Sequence, residues 1–216
     1  MKIFLDTADP EAIRRAEETG LLDGVTTNPS LVARENRRLE DLVAEICTIT
    51  SGPVSVEAMS SRTDELVAEA QSLAALAPSV VVKLPMTPAG CAAAAVLERD
   101  CGVRVNITMV FSPTQTLLAM KTGASFVSIV LSRMDAVGIE SETLVRDAVT
   151  LKRNYGFRSD IIAGSVKTQN HVLACQRSGV DVVTIPESLF FQMFQHPLTE
   201  AGLAQFAEDW RKVPGR

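Results

Sequence analysis

Lys83 lies inside an apolar run, Val80-Val81-Val82-Lys83-Leu84-Pro85. A buried setting disfavours a charged ammonium, and a neutral amine attacks carbonyl carbon to form a Schiff base. Once protonated, that imine draws electrons from a neighbouring carbon–carbon bond. The competing reading is a lysine paired with Glu57 or Asp6 and chemically idle. Val81, Lys83 and Pro85 share one parity of the strand, so alternation alone leaves the direction of the lysine open.

Asp6 and Glu57 are acidic residues at the ends of other apolar runs. Schiff-base cleavage of a sugar needs one group to take the substrate hydroxyl proton. It needs another to move protons through a water while the imine forms. Each carboxylate reads equally as an ion-pair partner for Lys83 or Arg133. Asn28, Asn106, Thr108 and Ser128 offer hydrogen bonds to substrate hydroxyls, as does Thr27 beside Asn28; each taken singly also fits a satisfied core polar group. Arg133, Ser165 and Lys167 fit an anion site, with Ser165 just ahead of a helical pattern whose free N–H groups favour phosphate. The alternative for Arg133 and Lys167 is a solvated loop charge.

These residues share a position in a repeating scheme. Candidate strands are 3–6, 25–27, 54–57, 80–84, 104–108, 126–130, 161–164 and 182–185. Helical patterns follow them. Asp9-Pro10 opens one helix and Gly20 ends it; Leu39, Leu42, Val43, Ile46 and Ile49 form an apolar stripe; Leu66, Val67, Ala70, Leu73 and Ala74 form another. Ser112-Pro113 opens a further helix that Gly123 closes, Leu144, Val145, Ala148 and Leu151 mark one closed by Gly156, and 167–179 fits the next. Strands alternating with helices imply parallel pairing, and eight such units predict a single closed (β/α)8 barrel, a TIM barrel, spanning 1–216. Its chemistry then belongs at the C-terminal ends of the strands. Those ends carry Asp6, Thr26, Thr27, Asn28, Glu57, Lys83, Asn106, Thr108, Ser128, Arg133 and Ser165. An extra amphipathic helix over 198–213 carries Leu203, Phe206 and Trp210 at i, i+3 and i+7, a surface for the barrel or for another subunit.

Composition removes several classes. The 216 residues, 46% hydrophobic, suffice for one full core. A net charge of −5 without a basic patch argues against nucleic acid. No apolar run reaches membrane-spanning length, and the opening MKIFLDTADP reads directly into a strand rather than a signal peptide. His171 and His196 lack ligand spacing, so no metal is expected. No glycine-rich dinucleotide or phosphate loop follows a strand, which weighs against a nucleotide-binding fold. Cys47, Cys91, Cys101 and Cys175 form no CxxC pair and read as free thiols in a reducing cytoplasm.

FLDTAD at 4–9, GVTTNPSLV at 24–32, VVKLPMTPAG at 81–90, VNITMVFSPTQ at 105–115 and AGSVKT at 163–168 resemble the small transaldolase and fructose-6-phosphate aldolase family. The likeness runs through FAEDW at 206–210. It implies that Lys83 forms the Schiff base and that Asp6 is the acid/base on the substrate C4 hydroxyl. Glu57 and Thr108 would hold the catalytic water. Asn28, Asn106 and Ser128 would bind the dihydroxyacetone portion, and Arg133, Ser165 and Lys167 the sugar phosphate. It implies no cofactor or metal, and a homo-oligomer, a pentamer or a decamer of two pentameric rings, with the C-terminal helix on a neighbour.

Within that family the aldolase branch carries glutamine at the position of Glu57 and tyrosine at that of Val130, whereas transaldolases carry glutamate and phenylalanine. Glu57, Asn106-Ile107-Thr108 and Ser128 side with transaldolase. Val130 matches neither branch, and SIVLSRMD at 128–135 lacks the proline and glycine usual in transaldolases there. The expectation is therefore transfer of dihydroxyacetone from a ketose phosphate to an aldose phosphate. The alternatives are a lyase releasing dihydroxyacetone, the same chemistry on a modified ketose such as a sulfonated one, and a barrel kept as a binding scaffold.

Overall fold

The structure, a computed structural model, describes residues 1–214. Eight parallel strands close into a barrel in chain order: β1 (Lys2–Asp6), β2 (Gly24–Thr26), β3 (Val54–Glu57), β4 (Val80–Pro85), β5 (Val105–Val110), β6 (Phe126–Val130), β7 (Asp160–Gly164) and β8 (Val182–Ile185), with β8 pairing back onto β1. This is the predicted (β/α)8 barrel. Around it run α1 (Pro10–Glu17), α2 (Pro29–Arg34), α3 (Leu39–Ile49), α4 (Thr63–Ala74), α5 (Pro88–Val96), α6 (Pro113–Lys121), α7 (Leu131–Asp135), α8 (Ser141–Tyr155), α9 (Gln169–Ser178), α10 (Glu187–Gln192) and α11 (Pro197–Arg211).

Local chemistry sets the helix boundaries. Asp9 caps α1 by accepting the Glu11 N–H, Thr87 caps α5, and Ser112 caps α6, each followed directly by proline at the first helical position. Gly156 and Gly179 close α8 and α9 with φ of 66° and 76°, a left-handed turn that glycine adopts without strain. The predicted 167–179 helix begins two residues later, at Gln169, because the Thr168 side chain caps it. Likewise α11 starts at Pro197, one residue before the expected 198, and ends at Arg211 rather than 213.

Apolar side chains form two bodies. The larger lies between strands and helices and contains Leu5, Val82, Leu84, Ile107, Ile129, Ala163 and Ile185. The smaller fills the barrel lumen with Phe4, Val81, Phe126, Ile162 and Val182. Phe4 and Phe126 meet edge-on there, their ring centroids 6.2 Å apart. Gly24 makes room for Phe4: a Cβ at that position would lie 2.9 Å from the ring.

The N-terminal face of the barrel is held by carboxylates. Glu98 accepts the N–H groups that open β5 and β6, from Val105 at 2.7 Å and Ser125 at 2.6 Å. Asp181 accepts the N–H of Ile161 at 2.8 Å and lies 2.8 Å from Lys152. The opposite face is left for chemistry.

Candidate active site

The two apolar bodies decide the direction of Lys83. Val81 belongs to the lumen and Val82 and Leu84 to the outer layer, so the lysine, two residues after Val81, points into the barrel. The same step of two recurs around the ring. Phe4 is followed by Asp6, Gly24 by Thr26, Phe126 by Ser128, Ile162 by Gly164 and Val182 by Thr184. Each of these second residues lines one cavity at the C-terminal mouth. An apolar floor therefore carries a polar layer directly above it.

That cavity has a volume of about 350 Å³ and is lined by Asp6, Asn28, Glu57, Lys83, Thr108, Ser128, Arg133, Ser165 and Lys167, along with Val130. Nine of the eleven residues expected from the sequence thus share one wall. Its size suits a small metabolite.

Lys83 is 8% exposed, and its Nζ donates to the Thr27 carbonyl at 2.9 Å. Glu57 Oε2 lies 3.2 Å from Nζ, the two residues being register partners on β3 and β4. Both contacts hold the amine in the mouth rather than letting it swing. Asp6 approaches from β1, and Thr26 donates to its Oδ1 at 3.1 Å. Burial pushes the Asp6 carboxyl above its ordinary value, against the opposing pull of Lys83, the Thr26 hydrogen bond and Lys167. A carboxylic acid so poised is suited to take and return a proton.

Two expected residues lie behind the wall. Thr27 is buried, and its hydroxyl donates to the Ser55 carbonyl at 2.8 Å, so it serves the site through its own carbonyl. It is one step out of phase with the lumen residues of β2. Asn106 is fully buried, with Nδ2 3.4 Å from Ser55 Oγ and Oδ1 accepting from Ser128 Oγ at 2.7 Å. It orients the Ser128 hydroxyl, which does reach the cavity. Asn28 lines the cavity while its Oδ1 caps α2 through the Leu31 N–H at 3.0 Å, which leaves its amide NH2 as donor.

The end of the cavity where an anion site was expected is built by α7 and the segment between β7 and α9. Arg133, read from the sequence as a strand-end residue, sits on the short α7 just past β6, and Ser132 and Ser165 share a short hydroxyl–hydroxyl hydrogen bond. Nε2 of His171 lies 3.2 Å from Asp135 Oδ2, which ties α7 to α9. Ser165 itself has φ of 55°. Lys167 lines the cavity one residue before the α9 cap.

Thr184 and Met109 line the cavity and were not among the sequence candidates. Stepping two residues on from the apolar lumen position of β8 identifies Thr184. Met109 comes from a β-bulge: Ile107 pairs with Val127 and Val110 with Ile129, so Thr108 and Met109 together face one residue of β6. The strand was expected to end at Thr108, and no periodic signal foretells the bulge. Met109 adopts φ of 64° there. The four cysteines are free thiols, and burial, with the nearby Glu142, pushes Cys175 up to about 12.

Known proteins resemble this chain over its length. The model of the family described as transaldolase/fructose-6-phosphate aldolase matches residues 3–215. A probable transaldolase of Geobacter sp. (strain M21) is 45% identical over 99% of this chain and 100% of its own length. One from Desulfotalea psychrophila is 47% identical over 98% and 99%. Among solved structures, a thiamine phosphate pyrophosphorylase from Pyrococcus furiosus superposes with a TM-score of 0.57, covering 86% of this chain and 85% of its own, at 18% identity; that likeness concerns the fold alone.

Proposed function

The chain belongs to the transaldolase/fructose-6-phosphate aldolase family, and on that premise we propose that it is a transaldolase moving a dihydroxyacetone unit from a ketose phosphate to an aldose phosphate. The carrying observation is the inward lysine with two carboxylates in its cavity, one paired to it at 3.2 Å and one accepting from a threonine hydroxyl at 3.1 Å.

The Lys83 amine attacks C2 of the ketose and, after loss of water, becomes a protonated imine. Glu57 and Thr108 hold the water through which those protons move. Asp6 takes the proton of the C4 hydroxyl, the C3–C4 bond breaks, and its electron pair runs to the imine nitrogen as an enamine. The aldose phosphate leaves. An incoming aldehyde is attacked by C3 of the enamine, Asp6 returns its proton to the new alkoxide, and water releases the product. Ser128, set by Asn106, and Asn28 hold the dihydroxyacetone hydroxyls. Arg133, Ser165 and Lys167 hold the phosphate by charge-assisted hydrogen bonds. Glu57 favours transfer over release. Val130 on the wall leaves room beside the imine and bears on which ketose fits.

We extend the reading to assembly. Helix α11 has no buried residue in the single chain, and Leu198, Leu203 and Phe206 are 76%, 63% and 70% exposed. A second copy of the chain is the occupant proposed for that row, within a ring-shaped homo-oligomer. Among the described residues no helix is long and apolar enough to cross a membrane.

Borohydride reduction with fructose 6-phosphate, followed by peptide mass spectrometry, tests the chemistry. A reduced dihydroxyacetone adduct on Lys83, with turnover that requires erythrose 4-phosphate, supports transferase action. Free dihydroxyacetone formed as fast without acceptor assigns a lyase. No adduct with any ketose in a panel, sulfonated ones included, overturns the enzymatic reading in favour of a scaffold.

A further inference from the structure

Thr184 and Thr26 stand on β8 and β2, the two strands that flank β1, and their hydroxyls meet across it. Thr184 is register partner to Phe4 and Thr26 to Asp6, so the contact lies between the phenyl floor and the carboxylate. The oxygens are 2.6 Å apart, and both residues are only 3% exposed.

Proton counting gives this contact a direction. A threonine hydroxyl has one proton to donate and two lone pairs. Thr26 spends its proton on Asp6 Oδ1 at 3.1 Å. The proton in the 2.6 Å contact must then belong to Thr184. Hydrogen bonds in such a series strengthen one another, because the oxygen that accepts becomes a better donor. A carboxyl group has two oxygens, and a proton on one leaves the other free to accept. The Thr26 contact is therefore compatible with both protonation states of Asp6, provided the proton resides on Oδ2.

We propose that Thr184 and Thr26 form a one-way donor chain that anchors Oδ1 of Asp6 and leaves Oδ2 to exchange the proton with the substrate, making both threonines positioning residues for carbon–carbon cleavage. The inference rests on the reading of Asp6 as the acid/base group. Other charged groups face the same cavity: Lys83 from β4, Glu57 from β3, Arg133 from α7 and Lys167 after β7. Lys83 and Lys167 act on Asp6 through space, whereas Thr26 acts at one defined oxygen.

The test combines carboxyl-13C aspartate NMR titration of the full chain with the pH profile of kcat. Asp6→Asn identifies the Asp6 resonance and measures its part in turnover. Thr26→Val, which keeps the shape and removes the hydroxyl, is expected to move the Asp6 titration further up and to lower kcat about tenfold near neutral pH with KM little changed. Thr184→Val leaves Thr26 able to donate and is expected to shift the titration in the same direction by less, with kcat down about threefold. Thr26→Ser keeps the hydroxyl and restores the wild-type titration. Wild-type titration in both valine variants beside an inactive Asp6→Asn protein overturns the inference alone, as does a serine variant that behaves like valine. Should Thr26→Val not fold, Thr184→Val decides by the same shift or its absence. A fully active Asp6→Asn protein overturns the acid/base reading and this inference with it.

Discussion

Lys83 and Glu57 are register partners on adjacent strands, and their charged ends lie 3.2 Å apart inside the barrel mouth. The lysine also donates to the Thr27 carbonyl, so the amine is oriented from two strands at once. Such a pair is poorly explained by stability, because desolvation offsets most of the attraction between buried charges. It is better explained as a nucleophile beside the group that manages its protons. Glu57→Gln preserves shape and a hydrogen bond while removing the base. The expected outcome is a kcat lower by about a hundredfold with donor KM within about threefold, and a slower imine-forming phase in stopped flow. An equally large rise in KM would instead mark Glu57 as a binding group.

Asp6 carries a linkage signature of opposite sign to that of most carboxylates. Its pKa is raised in the folded state above the ordinary 3.8, with burial as the leading cause. The folded state therefore holds this proton more tightly than the unfolded chain does. Its stabilising contribution is full below the unfolded value and is lost as pH rises through the folded value. Above the folded value the ionised Asp6 costs stability. Asp6→Asn is expected to gain melting temperature relative to wild type as pH rises above the ordinary carboxylate range, while kcat falls by about a hundredfold or more. Calorimetry at successive pH values checks it; a gap that shrinks as pH rises contradicts the assignment.

Met109 pairs strain with position. Left-handed backbone is costly for residues other than glycine and asparagine, and most so for β-branched ones. At φ of 64° valine, ordinarily a better strand former, is the worse choice. Met109→Val is expected to cost about 1–3 kcal/mol in denaturant unfolding, and Met109→Asn less. The reverse order would place the bulge elsewhere.

Arg133 and Lys167 test the proposed anion end without touching the lysine. Arg133→Ala and Lys167→Ala are each expected to raise KM for a phosphorylated donor about tenfold or more, the loss expected for a charge-assisted hydrogen bond. With the same ketose lacking phosphate, wild type and variants should differ little. A uniform loss on both donors would assign these residues to folding of the α7 and α9 entries.

Helix α11 tests assembly. Phe206, 70% exposed in the single chain, sits in the row with Leu203. Light scattering of the wild type is expected to give a closed oligomer, and Phe206→Glu is expected to shift mass toward smaller species. A monomeric wild type would remove the second copy from that surface.

Much of this protein follows from local patterns. Apolar runs of strand length alternating with capped, amphipathic helices define eight parallel units, because hydrophobic periodicity, proline at helix starts and glycine at helix ends are local constraints. The candidate residues were legible for the same reason: charged and polar residues stand at or near the ends of apolar runs at Asp6, Glu57, Lys83, Thr108 and Ser128, and all five line one cavity. Closing the barrel decided the rest. Closure distinguishes lumen from outer face, which turned Lys83 inward, put Thr26 rather than Thr27 on the wall, and drew Asn106 behind Ser128. It brought Thr184, from the last strand, beside Thr26 on the second, 158 residues apart in the chain. The bulge at Thr108 and Met109 likewise depends on how β5 registers against β6. Contacts of that range depend on which strands become neighbours and on their stagger, and no short stretch of sequence contains either quantity.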